Sequence, residues 1–399
     1  MEIKEIDKNR KLKVAFLGGG INSAVGYVHF SSINIDNKFE LAAGYFSRHS
    51  DINIETAEVY KVSKDRVYDN IDGLIQKEKN KIDAVIILTP SDQHPKQVIK
   101  FINNDIPVIC EKALIGSSEE ALEIKDIINR KNGFLVVTYN YLGYPMIREL
   151  KEIISNGTLG KIHHIQIEMP QEGFARITKE GNPVIPQDWR LKDNNVPTIS
   201  LDLGVHLHMF IKYLTNETPV QAIAKNDSFG NFSSIVDNVS CIVEYTNNIT
   251  CNMWYSKIAL GNRNGLKIRI YGDKGGAEWV QEFPEQLTLA DNKANRWIID
   301  RGNGEIEIAN KQRYTRFKVG HPAGYIEAFA NYYQDIFNAL IEYKTKKIKT
   351  FTDCFGIDEA FEGIKLLEAI NKSANSKSWI TIEEIEEYHG GIKNTFIGY

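Results

Sequence analysis

The sequence predicts a parallel-sheet α/β domain followed by an α+β domain with a mostly antiparallel open sheet. Three observations predict it. Short, continuously apolar runs alternate with amphipathic stretches over the first third of the chain. A glycine-rich loop follows the first of those runs. After about residue 140 the pattern changes to strands joined by tight turns, and two long helical segments follow.

The first third supplies five strands: KVAFLG (13–18), FELAAGYF (39–46), DAVIILTP (83–90), IPVICEKA (106–113) and GFLVVTYN (133–140). Strands apolar on both faces belong to a parallel sheet covered by helices on each side. Helical periodicity lies between them, as in PKQVIKFINND (95–105) and SSEEALEIKDIINRK (117–131). The Ser-Ser-Glu-Glu start of the latter is an N-cap followed by acidic first-turn residues. Right-handed crossovers make a doubly wound sheet the economical topology. This first domain is read as residues 1–140. In the second, 141–399, strands are read at 162–169, 220–227, 239–257 and 266–280. The turns YTNNITC and GDKGG mark hairpins. Helices are read at 324–343 and 357–373. The final segment, 383–399, has no role assigned.

The chain has 399 residues, 42 % of them apolar, enough for two or three domains with real cores. A net charge of −4 gives no electrostatic case for nucleic acid. No run of about 18 apolar residues predicts a membrane span. The charged N-terminal stretch has no apolar h-region, so no secretory signal is expected. Cys110, Cys241, Cys251 and Cys354 form no CxxC pair. Free thiols in a reduced, cytoplasmic setting are the expectation.

The loop VAFLGGGINSAVG (14–26) sits between a strand and a helix. Glycines there let backbone approach a pyrophosphate, and the helix N-terminus supplies donors. Gly18 and Gly20 fit the first two glycines of GxGxxG, and Ile21 and Asn22 follow them. The third glycine position is Ser23. Either Ser23 replaces that glycine, or the loop is three residues longer and Gly26 fills the role. The second strand ends Tyr45-Phe46-Ser47-Arg48 without a carboxylate for a ribose 2′-hydroxyl. Ser47 and Arg48 suit a 2′-phosphate, so NAD and NADP both remain open. Later strand ends carry Thr89, Pro90 and His94, then Glu111 and Lys112. Polar groups at the carboxyl ends of parallel strands face a cofactor crevice. A lysine directly after the buried run IPVIC is unusual, although a snorkelling surface lysine is the plain alternative.

The stretch SLDLGVHLHM (200–209) holds Asp202, His206 and His208. In an α-helix, Asp202 and His206 at i and i+4 share one face about 6 Å apart, and His208 points elsewhere. One carboxylate and one placed imidazole fall short of a zinc site, so no metal is expected.

The order of glycine loop, TPSDQH, EKAL, NYLGYP, DWR and DLGVH resembles the Gfo/Idh/MocA oxidoreductases over residues 12 to about 375. The segments GGGxxSxxGxVH, NYxGYPM, NRNGLKIRIYGxKGGAEWxQE and GHPAGYIEAFA resemble a sugar- or glycoside-related subgroup. The resemblance implies a Rossmann domain that binds NAD or NADP, tightly in some relatives. It also implies an α+β domain whose open sheet forms homodimers or homotetramers. By resemblance, Lys112, Asp202 and His206 are the catalytic groups. The family's E-K-P is E-K-Ala here, at Ala113. Pro197-Thr198-Ile199 replaces the glycine triplet usual before the aspartate.

Hydride removal from a secondary alcohol needs a base and a group that stabilises alkoxide. His206 is read as the base, Asp202 as its orienting partner or a hydroxyl ligand, and Lys112 as alkoxide stabiliser. Asn140, Trp189 and Arg190 are read beside the cofactor, and Tyr141, Gln171, Tyr255, His321 and Tyr325 as lining a sugar pocket. The expected activity is nicotinamide-dependent redox at a secondary hydroxyl or ketone of a sugar, glycoside or cyclitol. Two alternatives stand beside it: redox-assisted glycoside cleavage with recycled cofactor, and a non-catalytic sugar- or NAD(P)-sensing protein.

Overall fold

The structure, a computed structural model, describes residues 10–346, 348 and 351–382. The segment 383–399 lies outside the described residues. The first sheet contains β1 (Leu12–Gly18), β2 (Phe39–Tyr45), β3 (Ala84–Leu88), β4 (Val108–Glu111) and β5 (Leu135–Thr138). All neighbours in it are parallel, in the order β2-β1-β3-β4-β5. Their near-continuous apolar sequences match their burial, since every residue of β3, β4 and β5 is buried. The order reverses between β1 and β3. Such a switch point opens a crevice at the strands' carboxyl ends.

Helices α1 (Gly26–Ile35), α2 (Ser50–Val59), α3 (Ile71–Glu78), α4 (His94–Asn103) and α5 (Ser118–Lys131) connect these strands. The expected cap of α5 is present: Ser117 Oγ accepts from the Glu120 amide at 3.3 Å. Helix α6 (Pro145–Ser155) leads into the second sheet.

That sheet has nine strands: β6 (Ile162–Pro170), β7 (Pro219–Asp227), β8 (Asn238–Tyr245), β9 (Ile249–Ser256), β10 (Lys267–Gly272), β11 (Gly275–Val280), β12 (Gln286–Asp291), β13 (Arg296–Asp300) and β14 (Ile380–Thr381). Their order is β13-β12-β11-β10-β6-β9-β8-β7-β14. Every pairing is antiparallel except β6 with β9. Residues alternate between a buried face and an open one that carries Ile242, Trp254 and Tyr271. The hairpins at 246–248 and 273–274 fall where the turn residues predict them. Strands β12 and β13 were not anticipated from their mixed polar sequence.

Three further helices complete the fold: α7 (Val205–Thr215), α8 (Tyr325–Lys346) and α9 (Ile357–Ser376). Although α8 and α9 follow the second sheet in sequence, α8 packs on α1 and α9 on α5. The Val137 amide also donates to Phe355 O at 2.8 Å, beside the edge strand β5. The apolar faces of both helices therefore close the core of the first sheet as well as that of the second.

Candidate active site

The glycine loop takes the longer of its two readings. Gly18 and Gly19 have φ of 81° and 74°, the left-handed region that favours glycine. Helix α1 begins only at Gly26, where a Cβ would lie 2.1 Å from Gly19 O. Gly26 is thus the close-approach glycine. Ser23 is not its replacement: its Oγ accepts from the amides of Val25 and Gly26, both at 3.3 Å. The Ile21 amide donates to Thr56 Oγ1 at 3.1 Å, and Ile21 is not among the residues that line the crevice beside the loop.

A crevice of about 710 Å³ opens beside this loop. Gly18, Gly20 and Asn22 line it with Ser47, Arg48, Thr89 and Pro90. Glu111, Lys112, Trp189, Arg190 and Asp202 line it too. Ligand sites of this size are ordinary for small molecules and cofactors. A loop of glycines that a Cβ would fill, and a helix N-terminus beyond it, fit a dinucleotide. Asn140, two residues beyond β5, is buried, and its Nδ2 has no partner among the described residues.

His94 departs from its expected role. Its Nδ1 lies 2.8 Å from Ala113 O and its Nε2 2.8 Å from Thr89 O. Both ring nitrogens are spent on backbone carbonyls, so none is left for a cofactor. His94 ties the end of β3 to the residue after Lys112. Glu111 lines the crevice but also bonds inward. Its carboxylate accepts from Thr138 Oγ1 at 2.5 Å and lies 2.9 Å from His29 Nε2. Burial alone would raise its pKa; the bond to His29, and then Thr138 and Lys112, bring it below the usual carboxylate value.

The Lys112–Ala113 peptide is cis. Lys112 Nζ donates to Asp202 O at 2.9 Å and Asp202 Oδ1 at 3.1 Å. The segment Ser200–Gly204 is a π-turn ahead of α7 rather than plain α-helix. Turns of this kind cluster at functional sites. This one explains how a main-chain carbonyl and a side-chain oxygen of one residue meet the same ammonium.

Asp202 is not the orienting partner of His206. Its Oδ2 pairs with Lys257 Nζ at 2.8 Å and accepts from Arg190, while Oδ1 accepts from Lys112. One buried carboxylate is held by three cations. Burial would raise its pKa, but Lys112, Lys257 and Arg190 hold it well below the usual range. His206 is buried, and no described residue hydrogen-bonds its ring. Burial first, and then the Lys112 charge, lower its pKa to about 3. It is therefore a neutral imidazole at every working pH. Tyr141 packs edge-on against it at 4.8 Å, and Tyr325 lies 6.0 Å from Tyr141. Arg190 stacks on Trp189 at 4.3 Å.

Two expected pocket residues fall elsewhere. Tyr255 is fully buried and its hydroxyl bonds Ser200 Oγ at 2.9 Å, beneath the π-turn. A ring with no exposed surface cannot line a sugar pocket. His321 is exposed, its ring meets the Lys318 carbonyl at 3.3 Å, and it is not among the residues that line the crevice. His208, set aside from the sequence, is buried between Tyr245 and Glu362.

Lys257 and Asn264 were missed. Lys257 Nζ donates to Gln171 Oε1 at 2.7 Å, and Gln171 Nε2 to Asn264 Oδ1 at 2.8 Å. Asn264 Nδ2 donates to Tyr141 OH at 3.0 Å. A usable signal existed for Lys257: it directly follows the strand CNMWYS, just as Lys112 follows VICE. Among the described residues no group of three His, Cys, Asp or Glu is placed to hold a metal ion. No described helix is long and apolar enough to cross a membrane.

Comparison with known proteins agrees with this geometry. Residues 12–139 match the oxidoreductase family with an NAD-binding Rossmann fold. Residues 147–278 match the GFO/IDH/MocA C-terminal domain. The chain belongs to the Gfo/Idh/MocA family of nicotinamide-dependent oxidoreductases. The uncharacterized oxidoreductase YfiI of Bacillus subtilis is 28 % identical, covering 93 % of this chain and 97 % of that protein. Levoglucosan dehydrogenase of Pseudarthrobacter phenanthrenivorans is 23 % identical over 76 % of this chain and 81 % of its own. Among solved structures, an inositol dehydrogenase homolog from Azotobacter vinelandii, complexed with NADH and myo-inositol, superposes with a TM-score of 0.84. It is 25 % identical and covers 94 % of this chain and 98 % of that one.

Proposed function

We propose that the chain oxidises a secondary hydroxyl of a sugar, glycoside or cyclitol, or reduces the matching ketone, with NAD or NADP. The observation that carries this reading is Lys112, an ammonium pinned by Asp202 beside the unclaimed neutral imidazole of His206. A bound nicotinamide supplies the two-electron acceptor. His206 accepts the hydroxyl proton, a role open to a neutral ring nitrogen and closed to an imidazolium. Lys112 steadies the charge that develops on the substrate oxygen. Asp202 fixes Lys112 and takes no proton, since three cations keep it ionised. Relatives whose names include levoglucosan and myo-inositol support a polyhydroxylated ring as substrate. Ser47 and Arg48 at the crevice, with no carboxylate ending β2, keep NADP beside NAD.

The test is a panel of hexoses, glycosides and inositols incubated with each cofactor. Reduced nicotinamide is followed by absorbance and substrate mass by spectrometry. One substrate class should lose two hydrogens as the cofactor is reduced, and Lys112→Met should abolish this. No mass change with any member, or equal behaviour in the variant, overturns the reading. Aglycone release without net cofactor change would move the chain to redox-assisted bond cleavage. We also assign the open sheet face with Ile242, Trp254 and Tyr271 to contact between copies of this chain. A monomer mass by light scattering would remove that assignment.

A further inference from the structure

The site holds a second buried lysine that the reaction outlined above does not use. Lys257 lies at the end of β9, with its ammonium between Asp202 Oδ2 at 2.8 Å and Gln171 Oε1 at 2.7 Å. Only about 9 % of its side chain is exposed. From Gln171 the bonds run on through Asn264 at 2.8 Å to the Tyr141 hydroxyl at 3.0 Å. Tyr141 is the ring packed edge-on against His206. One polar chain therefore joins the Asp202 carboxylate to the aromatic ring that packs against His206.

The geometry points to Lys257 as a positioning residue: it keeps Asp202 turned away from His206 and braces Tyr141 through Gln171 and Asn264. This rests on the dehydrogenase reading of the site.

The physical argument is one of competition for a carboxylate. Asp202 has two oxygens and lies close enough to His206 to act on its charge. An aspartate bonded to that imidazole would favour the protonated ring. A protonated ring cannot take a proton from an alcohol. Lys112 occupies Oδ1; Lys257 and Arg190 occupy Oδ2. Arg190 comes from a single short 3-10 turn at the surface (Asp188–Leu191), whereas Lys257 is fixed at the end of a central strand. Lys257 is thus the more rigid of the two clamps on that oxygen. The charged and titratable groups that face His206 are Lys112 and Glu111 from the end of β4, Asp202 from the π-turn and Tyr141 from the turn after β5. Of these, Asp202 and Tyr141 are joined by the Lys257 chain.

The sign of the effect follows. Replacing Lys257 with methionine removes a positive charge and leaves Asp202 Oδ2 to Arg190 alone. Both changes favour imidazolium, so the His206 pKa rises. Arginine in its place keeps the charge and donors, and restores the lower value.

The experiment uses the full chain with histidine rings isotopically labelled. The His206 signal is assigned by its loss in His206→Asn, and its titration is followed by NMR in wild type, Lys257→Met and Lys257→Arg. The expected result is no His206 titration above about pH 5 in wild type, an upward shift of about one pH unit or more in Lys257→Met, and reversal in Lys257→Arg. Any substrate found by the panel above should show kcat lowered about tenfold in Lys257→Met, with its acid limb moved up by the same amount. An unmoved His206 titration in a folded Lys257→Met protein overturns the inference. So does an equal shift in Lys257→Arg, which would mark a merely structural site. Because the titration needs no substrate, an inactive panel defeats the proposed function while this result still decides the role of Lys257.

Discussion

Helix α7 separates two clusters built from the same residue types. On one side, His206 stands with Asp202, Lys112 and Lys257. On the other, His208 stands with Glu362 and Lys212. In the second cluster the carboxylate reaches both partners: Glu362 Oε2 accepts from Lys212 Nζ at 3.0 Å, and its Oε1 lies 3.2 Å from His208 Nε2, within ion-pair distance but without hydrogen-bond geometry. His208 Nδ1 meets Tyr245 OH, also at 3.2 Å. In the first cluster the carboxylate goes to the lysines and the imidazole is left unclaimed. A histidine, a carboxylate and a lysine do not make a site by proximity. What differs is whether the carboxylate also reaches the imidazole or is held by cations alone.

The comparison breaks most visibly through His206 itself. His206→Asn should lower kcat by about 10²- to 10⁴-fold, the usual contribution of a positioned base. Steady-state kinetics on the substrate found by the panel check it, and a loss below tenfold would deny the ring that role. Asp202→Asn comes next. It leaves Lys112, Lys257 and Arg190 without their shared anion and should destabilise the fold by roughly 3–5 kcal/mol, with activity falling as Lys112 comes loose. Denaturant unfolding reads the first effect and kcat/KM the second. Unchanged stability would mean that solvent, not the carboxylate, balances those charges.

His208→Gln sharpens the contrast from the other side. It should cost about 1–3 kcal/mol through the loss of buried polar partners, while kcat stays within about threefold of wild type. A large kinetic defect there would erase the distinction between the clusters. A further effect is a pH slope. The folded pKa of His206, about 3, lies below its ordinary 6.5. Between those values the unfolded chain binds a proton that the folded chain does not. The stability contribution is therefore fully present above about pH 6.5 and declines as pH falls toward 3. His94, also lowered by burial, acts in the same direction. Chemical denaturation at several pH values should show a shallower decline in His206→Asn than in wild type.

Much of this arrangement was legible in the chain itself. The five strands of the first sheet announce themselves because burial on both faces makes them continuously apolar. Lys112 stands out because a lysine after such a run has little reason to meet water. The same reasoning, applied to CNMWYSK, reaches Lys257. An alternating strand, however, makes a terminal lysine look ordinary, so Lys257 stands out less than Lys112. The partners of Asp202 were not legible. They come from three separate segments, and the π-turn that aims the residue depends on a backbone bonding pattern that composition does not encode. His94, Tyr255 and His321 erred for a related reason. Residue type suggested a ligand, but carbonyls fixed one ring, burial closed off the second, and the third lay on an exposed loop.

The return of α8 onto α1 has a consequence for the order in which the chain is made. His29 of α1 bonds Tyr333 OH at 2.6 Å, and Phe39 of β2 packs edge-on against Tyr333 and Phe337. A ribosome releases the nucleotide-binding sheet long before it releases the helix that seals it. During that interval a row of apolar side chains on the nascent sheet stays uncovered, the state in which chains aggregate or engage chaperones. A fragment ending near residue 140, although it carries every glycine of the loop, keeps that exposed row permanently.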